Sequence, residues 1–203
     1  MKYLFFCIML AFAAAAYAND GAYYASGNQL IPIMETDISV QKEILHIRKV
    51  KNERIEVAVY YEFYNPGKAK ELTVGFEAFS PSGDVDGTPV KGQHPYMRNF
   101  KVIMNNAPLK FTTALVADTL YNQQGKIKTI DWKTFEGNKG GNSVDFFYVY
   151  HFKAHFKKGL NIIKHTYQYD ASGSVDFDYD FDYILTAANR WANKQNDDST
   201  LIL

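Results

Sequence analysis

Acid–base or metal chemistry in this chain would fall first to five histidines and 22 acidic side chains. His151 and His155 share one face of an extended segment, but four residues along a strand is roughly 13 Å, too far for both to hold one zinc ion. His165 enters only through strand pairing. The segments 145–156 and 160–169 flank Lys157-Lys158-Gly159 and read as a long hairpin. Pairing Phe156 with Leu160 sets His151 opposite His165, a conceivable two-histidine metal site. Pairing Phe156 with Asn161 instead sets Tyr148 against Tyr169, Tyr150 against Tyr167 and Ala154 against Ile163. A one-residue slip turns every side chain to the other face, and the second register gathers the stronger apolar set. It is the expected one, and no metal is assigned.

The sharpest pattern is 175–183, where Asp176, Asp178, Asp180 and Asp182 alternate with Phe177, Tyr179, Phe181 and Tyr183. On a strand the carboxylates stand about 6.8 Å apart. Calcium takes six to eight oxygens at 2.3–2.6 Å. One such row therefore reads as a solvated face that protects a sticky aromatic strand, not as a cation site. Ser82-Gly83-Asp84-Val85-Asp86-Gly87 echoes the start of a calcium loop, but it opens on Ser and has Gln93 where a bidentate Glu belongs. A metal module would need Asp84, Asp86 and His94 to converge. No Gly-x-Ser-x-Gly elbow, phosphate loop, dinucleotide fingerprint or His-Glu-x-x-His helix occurs, so no catalytic residue and no cofactor is assigned.

Recognition is the remaining chemistry. Arg190-Trp191 offers a cation beside a stacking face, although a tryptophan is as a rule well buried and this one fits a plug at one end of a β core. Trp132 has the same bland reading. The long 81–98 connection carries three Gly, three Pro, His94, Tyr96 and Arg98. Loops of such length are where a rigid scaffold places its contacts. The candidate binding residues are therefore Arg190, Trp191, His94, Tyr96 and Arg98.

The elements that would position them are strands. Ile55, Val57, Val59, Tyr61 and Phe63 alternate with more polar neighbours and stop at Asn65-Pro66-Gly67. A partner strand through Ile38, Val40, Ile44, Leu45 and Ile47 precedes it across a polar turn at 51–54. Further strands are expected over 72–79, 100–104 and 110–117, with Asn105-Asn106 a tight-turn signal between the last two. Gly137 to Ser143 reads as a loop tip. The expected fold is all-β, an antiparallel sandwich of roughly eight to ten strands with minor helix at most.

One feature stands apart. Lys2 precedes an apolar run from Tyr3 to Ala16, and Ala16-Tyr17-Ala18 supplies the small residues of a signal-peptidase site. Residues 1–18 thus read as a signal peptide and 19–203 as a single domain, exported to the periplasm or cell surface. The run is shorter than a membrane span. Cys7, the sole cysteine, lies inside it, so no disulfide is available to the remainder. Twenty-two Lys and Arg against 22 Asp and Glu leave no basic excess for nucleic acid.

Two groups of short motifs carry a resemblance. Asn19-Asp20-Gly21-Ala22, Gly27-Asn28-Gln29-Leu30 and Tyr61-Glu62-Phe63-Tyr64-Asn65-Pro66, then Tyr183-Ile184-Leu185-Thr186 and Asn189-Arg190-Trp191-Ala192-Asn193, resemble a bacterial exported family defined only as a domain of unknown function. Its longer relatives sometimes carry an appended domain named for a YARHG motif, which is absent here. The resemblance implies export and β structure and brings no activity or catalytic residue. Relatives run on past the strand that begins near Thr200, which implies truncation after Leu201-Ile202-Leu203. The expected function is a non-catalytic cell-envelope module that binds or scaffolds an envelope protein or glycan. A glycan hydrolase or lectin, resting on abundant aromatics and carboxylates, is the alternative, and a metal-dependent module is the third.

Overall fold

The computed structural model describes residues 28–32, 36–50, 54–79, 88–116, 127, 129–135, 146–170, 190–194 and 197–203. The signal-peptide segment, the aspartate stripe at 175–183, the 82–87 loop and the 137–143 loop lie outside them. Ten strands are present among these residues: β1 (Asn28–Pro32), β2 (Ser39–Val50), β3 (Arg54–Asn65), β4 (Lys70–Phe79), β5 (Met97–Met104), β6 (Ala107–Pro108), β7 (Phe111–Val116), β8 (Phe147–Phe156), β9 (Gly159–Asp170) and β10 (Asp198–Ile202). A 3-10 turn, Trp132–Phe135, accompanies them.

They form two facing sheets, a four-stranded one ordered β1-β4-β8-β7 and a six-stranded one ordered β10-β2-β3-β9-β5-β6. All pairs are antiparallel except β10 with β2, which runs parallel. The expected sandwich is therefore present, with one parallel edge. Its core is aromatic. Phe76 of β4 meets Phe100 of β5 and Tyr167 of β9 at ring-centroid distances of 5.1 and 5.3 Å, and Phe63 of β3 meets Phe156 of β8 edge-on at 5.7 Å.

Strand alternation aims these side chains. In β3 every second residue from Ile55 to Phe63 is buried. Two bulges reset the parity where it would otherwise fail. In β2 the register shifts between Val40 and Lys42, so the inner face passes from Ile38 and Val40 to Glu43 and Leu45. In β5 the shift falls between Arg98 and Lys101, with Asn99 at φ +56°, so Met97 and then Phe100, Val102 and Met104 all face inward.

The hairpin expected from 145–156 and 160–169 does not form. β8 pairs with β4 and β7, and β9 pairs with β3 and β5. Lys157-Lys158-Gly159 is an arch that carries the chain from one sheet to the other. The neighbouring connection from β3 to β4 through Asn65-Pro66-Gly67 is a second arch beside it. Buried Asn161 fastens the first: its Oδ1 accepts the Lys157 N–H, and its Nδ2 donates to the carbonyls of Lys157 and Gly159, at 2.8–3.0 Å. Buried Asn65 ties the two together by donating to the carbonyls of Lys68 and Phe156. The expected Tyr148–Tyr169, Tyr150–Tyr167 and Ala154–Ile163 ladder pairs are thereby replaced by packing across the core. Either topology would bury the same alternate residues.

Asn105 and Asn106, at φ +48° and +69°, make the expected tight turn. It joins β5 only to the two-residue β6, and the following strand β7 crosses to the other sheet.

Candidate functional site

Inside the core, polar groups occupy positions that alternation would give to apolar ones. His165 on β9 is 1% exposed and is packed by the rings of Phe76, Tyr61, Phe100 and Tyr167 at 4.9–6.2 Å. Neither ring nitrogen has a hydrogen-bond partner. Burial pushes the imidazole down to about 3, so it is neutral. Sealed there, it touches no solute. His151 lies on β8 in the other sheet, half-buried opposite Gly75 and Thr112, so the two histidines do not meet. Among the described residues no three His, Cys, Asp or Glu side chains gather as metal ligands.

The predicted binding residues divide between the two ends of the sandwich. His94, Tyr96 and Arg98 gather at the end of β9. His94 is buried, and its Nδ1 accepts the backbone N–H of Tyr96 and of Met97, both at 3.1 Å. That nitrogen therefore carries no proton, and Nε2–H is left to donate to the Tyr169 hydroxyl at 3.2 Å. Tyr148 and Tyr169, from opposite sheets, flank the ring at 4.7 and 5.2 Å. His94 is thus a clasp that shapes the entry to β5, with both nitrogens engaged.

Tyr96 is half-buried, and its carbonyl accepts the Asp170 N–H. Arg98 is exposed and holds Asp170 at 2.6 Å, while Arg54 takes the other carboxylate oxygen at 3.1 Å. Burial works against the Asp170 charge, but the two guanidinium groups outweigh it and hold the carboxyl below its usual range. Arg54 and Asp170 escaped sequence reasoning because they lie 116 residues apart.

Arg190 and Trp191 sit at the opposite end, roughly 27 Å along β9. Trp191 is 2% exposed, with its ring 4.5 Å from Phe63 and 6.0 Å from Phe156. It has no open stacking face, so the plug is its role and the recognition pair does not exist as such. Ala192 N–H donates to the Ile38 carbonyl, and the Asn193 side-chain amide pairs with both backbone groups of Val40 at 3.1 and 2.7 Å. Trp132 is half-buried against the core, over Gly92.

Among the described residues, the outward face of the six-stranded sheet is open to solvent. Because Phe63 and Asn161 point inward, their neighbours Tyr64 and Leu160 point outward as a cross-strand pair. Tyr64 is 45%, Leu160 53% and Ile103 38% exposed. In the adjoining rows Glu62 faces Ile162, and Ile44, Tyr60, Lys164 and Ile103 lie in register across β2, β3, β9 and β5. Lys164 Nζ stands 5.5 Å over the Tyr60 ring. Cross-strand neighbours are about 5 Å apart and successive outward residues about 7 Å, so these side chains form one contiguous patch. Towards the other end of β9 the same face turns polar, where Arg48 pairs with Glu56, Gln168 donates to Glu56, and Asn99 donates to Gln168.

Two facing sheets joined by arches and closed by a buried tryptophan define the class as a β-sandwich. Among solved structures the fold is similar to the crystal structure of a "putative nutrient binding protein" from Legionella pneumophila, with a TM-score of 0.57 and 18% identity. The match covers 84% of this chain and 50% of that one, so the chain spans about half the length of the Legionella protein. At this identity the likeness is one of fold. No family model and no curated protein matches the sequence.

Proposed function

We propose that this chain is a non-catalytic binding module of an exported bacterial cell-envelope protein, and that it takes its partner on the outward face of the six-stranded sheet. The observation that carries this reading is the patch of Tyr64, Leu160 and Ile103 with Tyr60 and Lys164. Exposed aromatic and aliphatic side chains in one contiguous group on a rigid sheet are what an interaction site presents. The name given to the Legionella protein, nutrient binding, agrees with a binding role. Export rests on Lys2, the apolar run from Tyr3 to Ala16 and the Ala16-Tyr17-Ala18 cleavage site, and the resemblance to the exported family of unknown function points the same way.

The test is a thermal-shift screen of the mature chain from Asn19 against envelope glycans, small nutrients, and divalent cations with and without chelator. A ligand present at a hundred times its Kd stabilises the fold by about 2.7 kcal/mol, enough to read. The expected result is a shift that the Tyr64→Ala, Leu160→Ala double variant loses while its unliganded melt stays that of the wild type. A shift untouched by that variant sinks the sheet-face site. Product release from a glycan promotes the hydrolase reading, and a shift reversed by chelator the metal reading. Export is checked separately by fractionation and by an N-terminus that begins at Asn19.

A further inference from the structure

One row of the outward sheet face is lower than the rows beside it. His46, Ala58, Thr166 and Lys101 lie in register across β2, β3, β9 and β5, and the two middle side chains, Ala58 and Thr166, are small. Along one flank stand Tyr60 and Lys164, the ammonium of Lys164 kept close to the sheet at 5.5 Å from the Tyr60 ring. Along the other, Arg48, Glu56, Gln168 and Asn99 form one hydrogen-bonded chain across the same four strands, with contacts of 2.5, 3.0 and 2.8 Å. Neighbouring strands are about 4.8 Å apart, so the trough between these walls runs about 14 Å from His46 to Lys101. His46, Lys101, Lys164 and Thr166 are all exposed to solvent along it.

The charges around the trough do not balance. Glu56 is held by Arg48 and Gln168, Asp170 by Arg54 and Arg98, and Asp198 by Lys42, while Glu62 accepts the Tyr60 hydroxyl at 2.8 Å. Among the described residues neither Lys101 nor Lys164 has a carboxylate within ion-pair distance, and the side chains of Thr166 and His46 have no hydrogen-bond partner. Lys101 faces Thr166 and Lys164 faces Ile103, which makes the two lysines diagonal neighbours about 7–8 Å apart, near enough for long side chains to share one anion. We propose that the trough binds an anionic sugar, its carboxylate or phosphate between Lys101 and Lys164 and its hydroxyls on Thr166 and His46. Ammonium groups suit an oxyanion, and a hydroxyl and imidazole nitrogens suit sugar hydroxyls. Backbone groups inside the sheet are spent on the ladder, so an acidic peptide would find no main-chain partners here, whereas a sugar is read by side chains alone. The inference rests on the sheet-face reading above and adds the chemical class of the ligand.

The test is an NMR titration of the isotope-labelled mature chain with digalacturonate, glucose phosphate, maltose and inorganic phosphate. At least one of the two charged sugars should shift the amides of Thr166 and Lys164, and maltose should bind about tenfold more weakly or worse. The Lys101→Gln, Lys164→Gln double variant, both positions being exposed, should melt as the wild type does and lose about tenfold in affinity for the charged sugar. Raising salt from about 0.1 to about 1 M, which shortens the screening length from about 10 to about 3 Å, should weaken the same complex. Thr166→Tyr, which fills the floor of the trough, should abolish it. No binding of either charged sugar, or maltose binding as well as they do, overturns the proposal. Inorganic phosphate binding as tightly as glucose phosphate overturns the sugar assignment. A ligand lost in Tyr64→Ala, Leu160→Ala but indifferent to the lysine variant and to salt overturns the anionic class and leaves the sheet-face reading standing. If no ligand responds to either pair of substitutions, both readings fall.

Discussion

His165 should make this fold acid-labile by an amount that can be worked out. Its imidazole titrates at about 3 in the folded chain and at an ordinary 6.5 when exposed. The unfolded chain therefore takes up a proton that the folded chain refuses. Stability from this residue is complete above about pH 6.5 and falls by about 1.4 kcal/mol per unit below it, until the folded group itself titrates near pH 3. The full span is about 5 kcal/mol, and at pH 4.5 the loss is about 3 kcal/mol. The carboxyls of Glu56 and Asp170, both held below their usual range, add an acid loss of their own. A variant isolates the histidine from them. His165→Leu keeps a similar volume among Tyr61, Phe76, Phe100 and Tyr167 and removes two nitrogens that have no partner. At pH 7 it should be neutral or stabilising, because an unsatisfied buried polar atom costs about 1–3 kcal/mol. Urea unfolding of both proteins at pH 7 and 4.5 gives the comparison, and the wild type should lose about 3 kcal/mol more than the variant. Equal losses would refute the account, and would mean that the ring is solvated or finds a partner when charged.

Three further substitutions test how the ends of the sandwich are held. Trp191→Ala should destabilise by about 3–5 kcal/mol, read in the same urea titration, since it leaves a cavity against Phe63 and Phe156. Asn161→Ala removes the arch fasteners at Lys157 and Gly159 and should cost about 2–4 kcal/mol, with hydrogen exchange rising first at Lys157, whose N–H loses its acceptor. Gly92 and Gly159 both have positive φ, at +76° and +85°, so alanine costs about 1–2 kcal/mol at either. Only at Gly92 would the added Cβ also meet Trp132, at 3.1 Å. Gly92→Ala should therefore lower Tm by more than Gly159→Ala.

Strand content was legible because alternation is a local signal. The run Ile55 to Phe63 reads as a half-buried strand from its own residues, and β3 buries those side chains. Pairing is not local. The segments that became β8 and β9 have the composition of a hairpin. In the arch each pairs with another strand instead, β8 with β4 and β9 with β3, so that their apolar faces meet across the core. The bulges at Gln41 and Asn99 were invisible for a related reason. Each inserts one residue to restore a parity that is fixed by partner strands far away in sequence. The binding candidates show the same division. Tryptophan and histidine were identified as residues with something to do, but whether a ring faces a ligand or a core depends on contacts such as Trp191 with Phe63, 128 positions apart.

Two of the motifs that carry the family resemblance, in their described residues, hold the architecture. Asn65 closes Tyr61-Glu62-Phe63-Tyr64-Asn65-Pro66 and ties the two arches together. In Asn189-Arg190-Trp191-Ala192-Asn193, Trp191 plugs the core while Ala192 and Asn193 fasten to Ile38 and Val40. These side chains satisfy buried polar groups or fill volume, and a site made of them would have to dismantle the end of the sandwich to bind anything. Among the described residues, large apolar side chains free to change without cost to the fold lie on the outward face around Tyr64, Leu160 and Ile103. A scaffold is specified separately from the contacts it presents, so if the proposed site is right, substitutions at those exposed positions should alter partner choice and leave the melt untouched.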